Sequence, residues 1–215
     1  GWPIPAHQAT AAELYLVFNL ETPDATSPSR TESLALSALT HPSVIVRCRA
    51  YDAIRKPVPD VCLPQVRADL VSTNGMLAQY VILMIAQTAD TRLRPDMLAL
   101  LENNQDRNRL GMIVSHTLQM AGISEVLPRL IARLNEPACA REVLDSLTNL
   151  VINRQPSGSY SPKWTQSQLD ARQIAWRNFY ADNRERIVSG EKFSPDDHRV
   201  PTELFSGYYD WSPRP

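Results

Sequence analysis

The sequence predicts an all-α protein, a solenoid of about four helix pairs with capping helices. Three observations carry that reading. A leucine closes a ten-residue segment at positions 39, 70, 101 and 134, at intervals of 31, 31 and 33. Pro64, Pro95 and Pro128 hold one common place within three of those segments, and Ser33 holds it in the first. Apolar residues after each segment recur at helical spacing rather than in the alternation of a strand. The likeness is plainest between VCLPQVRADL (Val61–Leu70) and EVLPRLIARL (Glu125–Leu134).

From the N-terminus, ATAAELYLVFNL (Ala9–Leu20) reads as a capping helix, with Leu14, Leu16, Val17, Phe18 and Leu20 available for burial. ETPDATSPSR (Glu21–Arg30) reads as a turn-rich loop that completes a cap over 9–28. The repeats occupy 29–153. Their first helices are RTESLALSAL (Arg30–Leu39), VCLPQVRADL, RLRPDMLALL (Arg92–Leu101) and EVLPRLIARL. Proline lacks an amide donor and clashes with the preceding turn, so it is tolerated only near a helix start. Pro95 follows a break at Thr91–Arg94. Pro64 and Pro128 lie deeper, after caps at Asp60 and Ser124, and should start or bend their helices.

Second helices follow from Ser43, Asn74, Gln105 and Glu136. Arg47, Gln79, Arg109 and Arg141 share one place in them. Their apolar members are Ala50, Ala53 and Ile54 in the first, Met112, Ile113, Leu118 and Met120 in the third, and Val143, Leu144, Leu147 and Val151 in the fourth. One pair of about 31 residues cannot bury its apolar face alone, but stacked pairs can. After a loop, WTQSQLDARQIAWRNFYADNRERIVSG (Trp164–Gly190) forms one long helix that closes the stack, so 154–190 is loop and cap. Leu169, Ala175, Trp176, Phe179, Tyr180 and Ile187 supply its apolar side and Gly190 ends it. Residues 191–215 have no helical period and read as an extended Pro- and aromatic-rich tail lying back on the 1–190 solenoid.

LTHPSVIVRCRAYDAI (Leu39–Ile54) resembles a HEAT repeat, with Val46, Arg47, Ala50, Ala53 and Ile54 matching the family's Val-Arg-x-x-Ala-x-x-Ala-Leu string. The turn departs from the family, with His41 and Pro42 where Asp is common, and Gln79 interrupts the arginine series. NRQPSGSYSPKW followed by AWRNFYADNR is similar to the Trp-rich closing helix of several bacterial HEAT-like proteins. The resemblance spans roughly 9–153 and implies a right-handed α-α superhelix of the armadillo and HEAT type. Such a solenoid presents a concave face built from its second helices. The expected work is therefore non-catalytic: a scaffold or assembly subunit that binds another protein or peptide. The candidate contacts are Arg49, Asp52, Arg55, Gln79, Arg107, Asn108, Gln119 and Asp145. Tyr208, Tyr209 and Trp211 in the tail are further candidates, because Tyr and Trp are favoured at interface hot spots. The tail could also join copies of the chain into a homo-oligomer.

Other classes are disfavoured. No apolar run approaches the roughly 18 residues of a membrane span. His7, His41, His116 and His198 form no metal-ligand spacing, and no phosphate loop or nucleophile elbow occurs, so no catalytic residue, cofactor or metal is expected. Asp196–His198 reads as a solvated loop. Glu102 and Asp106 read as solvated or paired with Arg107 and Arg109. The alternative is a HEAT-like DNA-binding enzyme of the glycosylase type, with Arg47, Arg109 and Arg141 lining a groove. A net charge of −1, only three lysines and no Trp within the repeats weigh against nucleic acid. Cys48, Cys62 and Cys139 are odd in number and widely spaced, as small buried hydrophobes rather than a disulfide framework. The start Gly-Trp-Pro, without Met, fits a removed leader or a trimmed end, and either agrees with an exported, periplasmic protein.

Overall fold

The computed structural model describes residues 28–104, 106–153, 164–194 and 196–204. The expected capping helix at 9–20, the whole 154–163 loop, and Tyr208, Tyr209 and Trp211 lie outside them. Among the described residues the protein is all-helical, with nine α-helices, three 3-10 turns and one isolated bridge in place of any strand. The chain divides into two compact units, Gly1–Asp96 and Met97–Pro215. The four marker leucines, Leu39, Leu70, Leu101 and Leu134, are each at most 1% exposed, so the repeat is a repeat of core positions.

The first unit contains α1 (Pro28–Ala38), α2 (Val44–Ala53), α3 (Leu63–Leu70) and α4 (Gly75–Thr88). α1 begins on Pro28, inside the stretch expected to be loop, because Pro is pre-organised for the first helical position. Asp60 does not cap α3. It opens a 3-10 turn, Asp60–Cys62, that runs directly into α3 and leaves Pro64 at the second helical position, where no amide donor is needed. Asn74 caps α4 by accepting the Leu77 amide at 3.1 Å. α1 packs on α2, α3 packs on α4, and the two second helices, α2 and α4, lie against each other. Val46, Ala50 and Tyr51 of α2, Val66 and Leu70 of α3, and Leu77, Val81, Ile82 and Ile85 of α4 fill the core between them.

The boundary between units falls within α5 (Arg94–Asn103), which follows the 3-10 turn Thr91–Leu93. The second unit continues with α6 (Arg107–Ala121), α7 (Ile123–Ala132), α8 (Ala140–Val151) and α9 (Gln166–Val188). Ser124 is not the cap of α7. Gly122 takes that place at φ 79°, a left-handed conformation that glycine adopts without a Cβ clash, and this lets α6 turn straight into α7. Pro128 then lies inside α7. α8 starts at Ala140 rather than Glu136, because 137–139 form a turn. The second helices α6 and α8 again pack on each other, and α7 packs on α6, α8 and α9. The core stripe of α6 is Leu110, Ile113, Val114 and Thr117; Met112, Leu118 and Met120, read from sequence as core, are half-exposed because they fall off that i, i+3, i+4, i+7 line.

α9 starts with a capping box formed by Thr165 and Gln168, and Gly190 at φ 89° reverses the chain after it. It buries Leu169, Trp176, Phe179 and Ile187, while Ala175 and Tyr180 are only half-buried. The described part of the expected tail is core-forming. Phe193 makes a short parallel bridge with Ile152, its amide donating to Val151 O at 2.9 Å and its carbonyl accepting from Asn153 N at 2.8 Å. Its ring lies edge-on to Phe179 at 5.1 Å, and Val200 and Leu204 are also buried. The 3-10 turn Thr202–Leu204 rests on α9.

Candidate functional site

The candidate contact residues fall in two sets, one in each unit. On α2, Asp52 is exposed and Arg49 half-buried, with 4.0 Å between their charged atoms. Arg55, just past the helix, donates to the Asp52 and Ile54 carbonyls and to Gln87 Oε1 of α4 at 3.0 Å. Gln79 is exposed on α4. Because α2 and α4 are packed together, the first unit places Arg49, Asp52, Gln79 and Gln87 on neighbouring second helices, with Arg55 just past the end of α2. In the second unit Arg107 and Asn108 are exposed in the first turn of α6, Gln119 is exposed in its last turn, and Asp145 is half-buried on α8. The Asn108 amide is held by the capping carboxylate of Asp106. The aromatic tail candidates are outside the described residues.

Three polar clusters, each built on one buried charged side chain (Asp69, Asp90 and Arg133), escape the sequence reading. In the first, Asp69 of α3 is 4% exposed and accepts from Tyr51 Oη at 2.9 Å and from Gln65 Nε2 at 3.0 Å. Arg47 Nε lies 3.2 Å from the same carboxylate, and Arg47 Nη1 donates to the His41 carbonyl at 2.7 Å. Burial, then the facing Asp69 charge, raises the Tyr51 phenol well above its ordinary value, so it remains a donor at neutral pH. In the second, Arg92 binds Asp90 at 2.6 Å and reaches back to Asp60 and the Val58 carbonyl. Its hydrogen bonds hold the Asp90 carboxyl below the usual range. In the third, Arg133, 3% exposed, donates to the carbonyls of Leu101 and Asn104 at 2.6 Å each and pairs with Glu136 at 3.0 Å. Cys139 Sγ sits 3.2 Å from both Arg133 and Glu136.

Sequence separation is the signal that could have found part of this. Arg92 to Asp60 and Val58, Arg55 to Gln87, Arg67 to Asp96, Arg129 to Glu102, and Arg133 to Leu101 and Asn104 all join residues 27 to 34 apart, near one repeat length. Glu102 and Asp106 divide between two partners: Asp106 caps α6 and pairs with Arg109 at 2.7 Å, while Glu102 pairs with Arg129.

These clusters are built for cohesion. Burial raises the thiols of Cys48 and Cys139 from 9.0 to about 11, which keeps both protonated and unreactive at neutral pH. His198 is exposed beside Asp197, whose carboxyl is held low by Arg199. Among the described residues no three His, Cys, Asp or Glu side chains are grouped to hold a metal ion, and no helix is long and apolar enough to cross a membrane. No protein-family model matches the chain, and no curated protein or solved structure matches it.

Proposed function

We propose that the four helix pairs stack as a right-handed superhelix of the HEAT type, and that the protein is a non-catalytic scaffold or assembly subunit that binds another protein through its second helices. The observation that carries this reading is the set of polar ties between residues about one repeat apart, joined to the side-by-side packing of α2 with α4 and of α6 with α8. A stack of repeats is held by interfaces between neighbours, and its second helices form one continuous surface. Asp52, Gln79, Arg107, Asn108 and Gln119 are exposed polar members of those helices and are the contacts expected to matter. Arg47 and Arg109, two of the three arginines that would line a phosphate groove, already serve carboxylates within the chain, which favours protein binding over the glycosylase-type alternative.

The test is capture of a partner from extracts of the source organism, repeated with two variants. Asp52→Lys, Gln79→Glu and Asn108→Asp alter second helices. Ala68→Glu and Ala99→Glu alter exposed positions of first helices. The proposal expects the first set to abolish capture without loss of helicity and the second to leave it intact. The opposite pattern overturns the assignment of the binding face. Capture of duplex DNA that weakens steeply with salt, and of no protein, overturns the scaffold reading itself.

A further inference from the structure

We infer that the outer face of α9 is a self-association surface, on which a second copy of this chain packs its own α9 antiparallel. The helix buries one face in its own unit through Leu169, Arg172, Trp176, Phe179 and Ile187. On the opposite side, positions 167, 171, 174, 178, 181, 185 and 188 are all exposed. Their intervals of four and three are those of a two-helix seam. Four of these seven are apolar, and Ser167, Asn178 and Glu185 are polar. The apolar four are Ala171, Ile174, Ala181 and Val188, and Ile174 and Val188 are two of the five large hydrophobics exposed among the described residues.

Charge selects both the occupant and its direction. Asp170, Arg177 and Arg184 are exposed along one flank of the seam at intervals of seven. Antiparallel pairing that sets Ala171 against the partner's Ala181 places Asp170 beside the partner's Arg184, and the two-fold axis makes that pair twice. Gln166 Nε2 donates to Asp170 Oδ1 at 3.0 Å and steadies the carboxylate on that flank. Parallel pairing would instead set Glu185 against the partner's Glu185 inside the seam, where like charges repel; the antiparallel register sets Glu185 against the partner's Ser167. Arg177 meets its own copy only at the rim, where a long side chain reaches water. Antiparallel helices also oppose their macrodipoles. One helix face is a small interface, in the class below about 1,200 Å², so the dimer is weak and reversible.

Sedimentation velocity on the full chain from roughly 2 to 200 µM tests this, with circular dichroism to confirm unchanged helicity. The expected result is a concentration-dependent dimer that Ile174→Asp reduces to monomer. Arg184→Asp should raise the dissociation constant roughly tenfold, and Asp170→Arg with Arg184→Asp in one chain should restore it. A monomer at every concentration, or a dimer that survives Ile174→Asp, overturns the surface. A dimer that responds to Ile174→Asp but not to the charge swap overturns the antiparallel register.

Discussion

Asp69 and Arg133 hold the same ninth place in the two most similar repeat segments, VCLPQVRADL and EVLPRLIARL, yet one is an acid and the other a base. Both are nearly sealed from solvent. In the first unit the buried charge is an anion, met by two donors, the Tyr51 hydroxyl and the Gln65 amide, and by the positive charge of the Arg47 guanidinium. In the second unit the buried charge is a cation, and acceptors are gathered: the carbonyls of Leu101 and Asn104 and the carboxylate of Glu136. The tenth place is leucine in both and behaves identically, at most 1% exposed. The comparison teaches that the apolar part of the slot fixes shape, while the polar part only has to be satisfied and can be satisfied with either sign.

The largest expected effects fall on the shared place. Leu70→Ala and Leu134→Ala should each cost about 3 to 4 kcal/mol, read as lowered urea midpoints with unchanged slopes. A cost several-fold larger in one unit than the other would break the equivalence of the two slots.

The ninth place comes next and should separate them. Arg133→Ala strands two buried carbonyls and should cost about 3 kcal/mol. Asp69→Ala strands the Tyr51 hydroxyl in the core and should cost about 2 to 3 kcal/mol. Tyr51→Phe in the same denaturation assay removes one donor while Gln65 and Arg47 still serve Asp69, so about 1 kcal/mol is expected. If Asp69→Ala proves neutral, the acid is not anchoring its slot.

Much of the chain's periodicity is legible in the amino-acid sequence alone. The marker leucines are core, the prolines sit near helix starts except Pro128, and a second helix follows each first one, though α8 starts four residues later than the spacing suggests. The ninth place is not legible, because Asp69 and Arg133 look like ordinary surface charges until a partner one repeat or one helix away is known. Met112, Leu118 and Met120 mislead for a related reason: an apolar residue declares itself in sequence, but which line of the helix is covered depends on what packs there. Phe193 reads as tail because nothing local marks it as core. Its place is set by backbone bonds to Val151 and Asn153, about forty residues away, and its ring lies against Phe179. Asp52, Gln79, Arg107, Asn108 and Gln119 are exposed polar positions on second helices, whereas Arg49 and Asp145 are half-buried. Arg55 lies just past its helix, and its bonds to Asp52, Ile54 and Gln87 use it within the chain.

The smallest effects are alkaline and sharpen the contrast by pH. The Cys139 thiol, raised from 9.0 to about 11 by burial, is neutral in both folded and unfolded chains below pH 9. A folded value above the unfolded one means stability is full below pH 9 and falls as pH rises from there through about 11. In the other slot Tyr51 gives the same sign, but the loss begins only above the ordinary phenol value of 10.0. Cys48 is raised to the same value and acts over the same range, so Cys139→Ala should shrink the start of the alkaline decline and Tyr51→Phe its later part, as followed by urea midpoints against pH. An acid step runs the other way. Arg92 holds Asp90 below its ordinary 3.8, so stability is full above that pH and is lost below it, and Asp90→Asn should remove that step.

The most direct measurement is hydrogen exchange on the protein with its captured partner bound, compared with the free chain. A superhelical scaffold that binds through its second helices predicts new protection on α2, α4, α6 and α8 and none on the exposed sides of α3, α5 and α7. Protection confined to first helices, or absent from every helix, would contradict it.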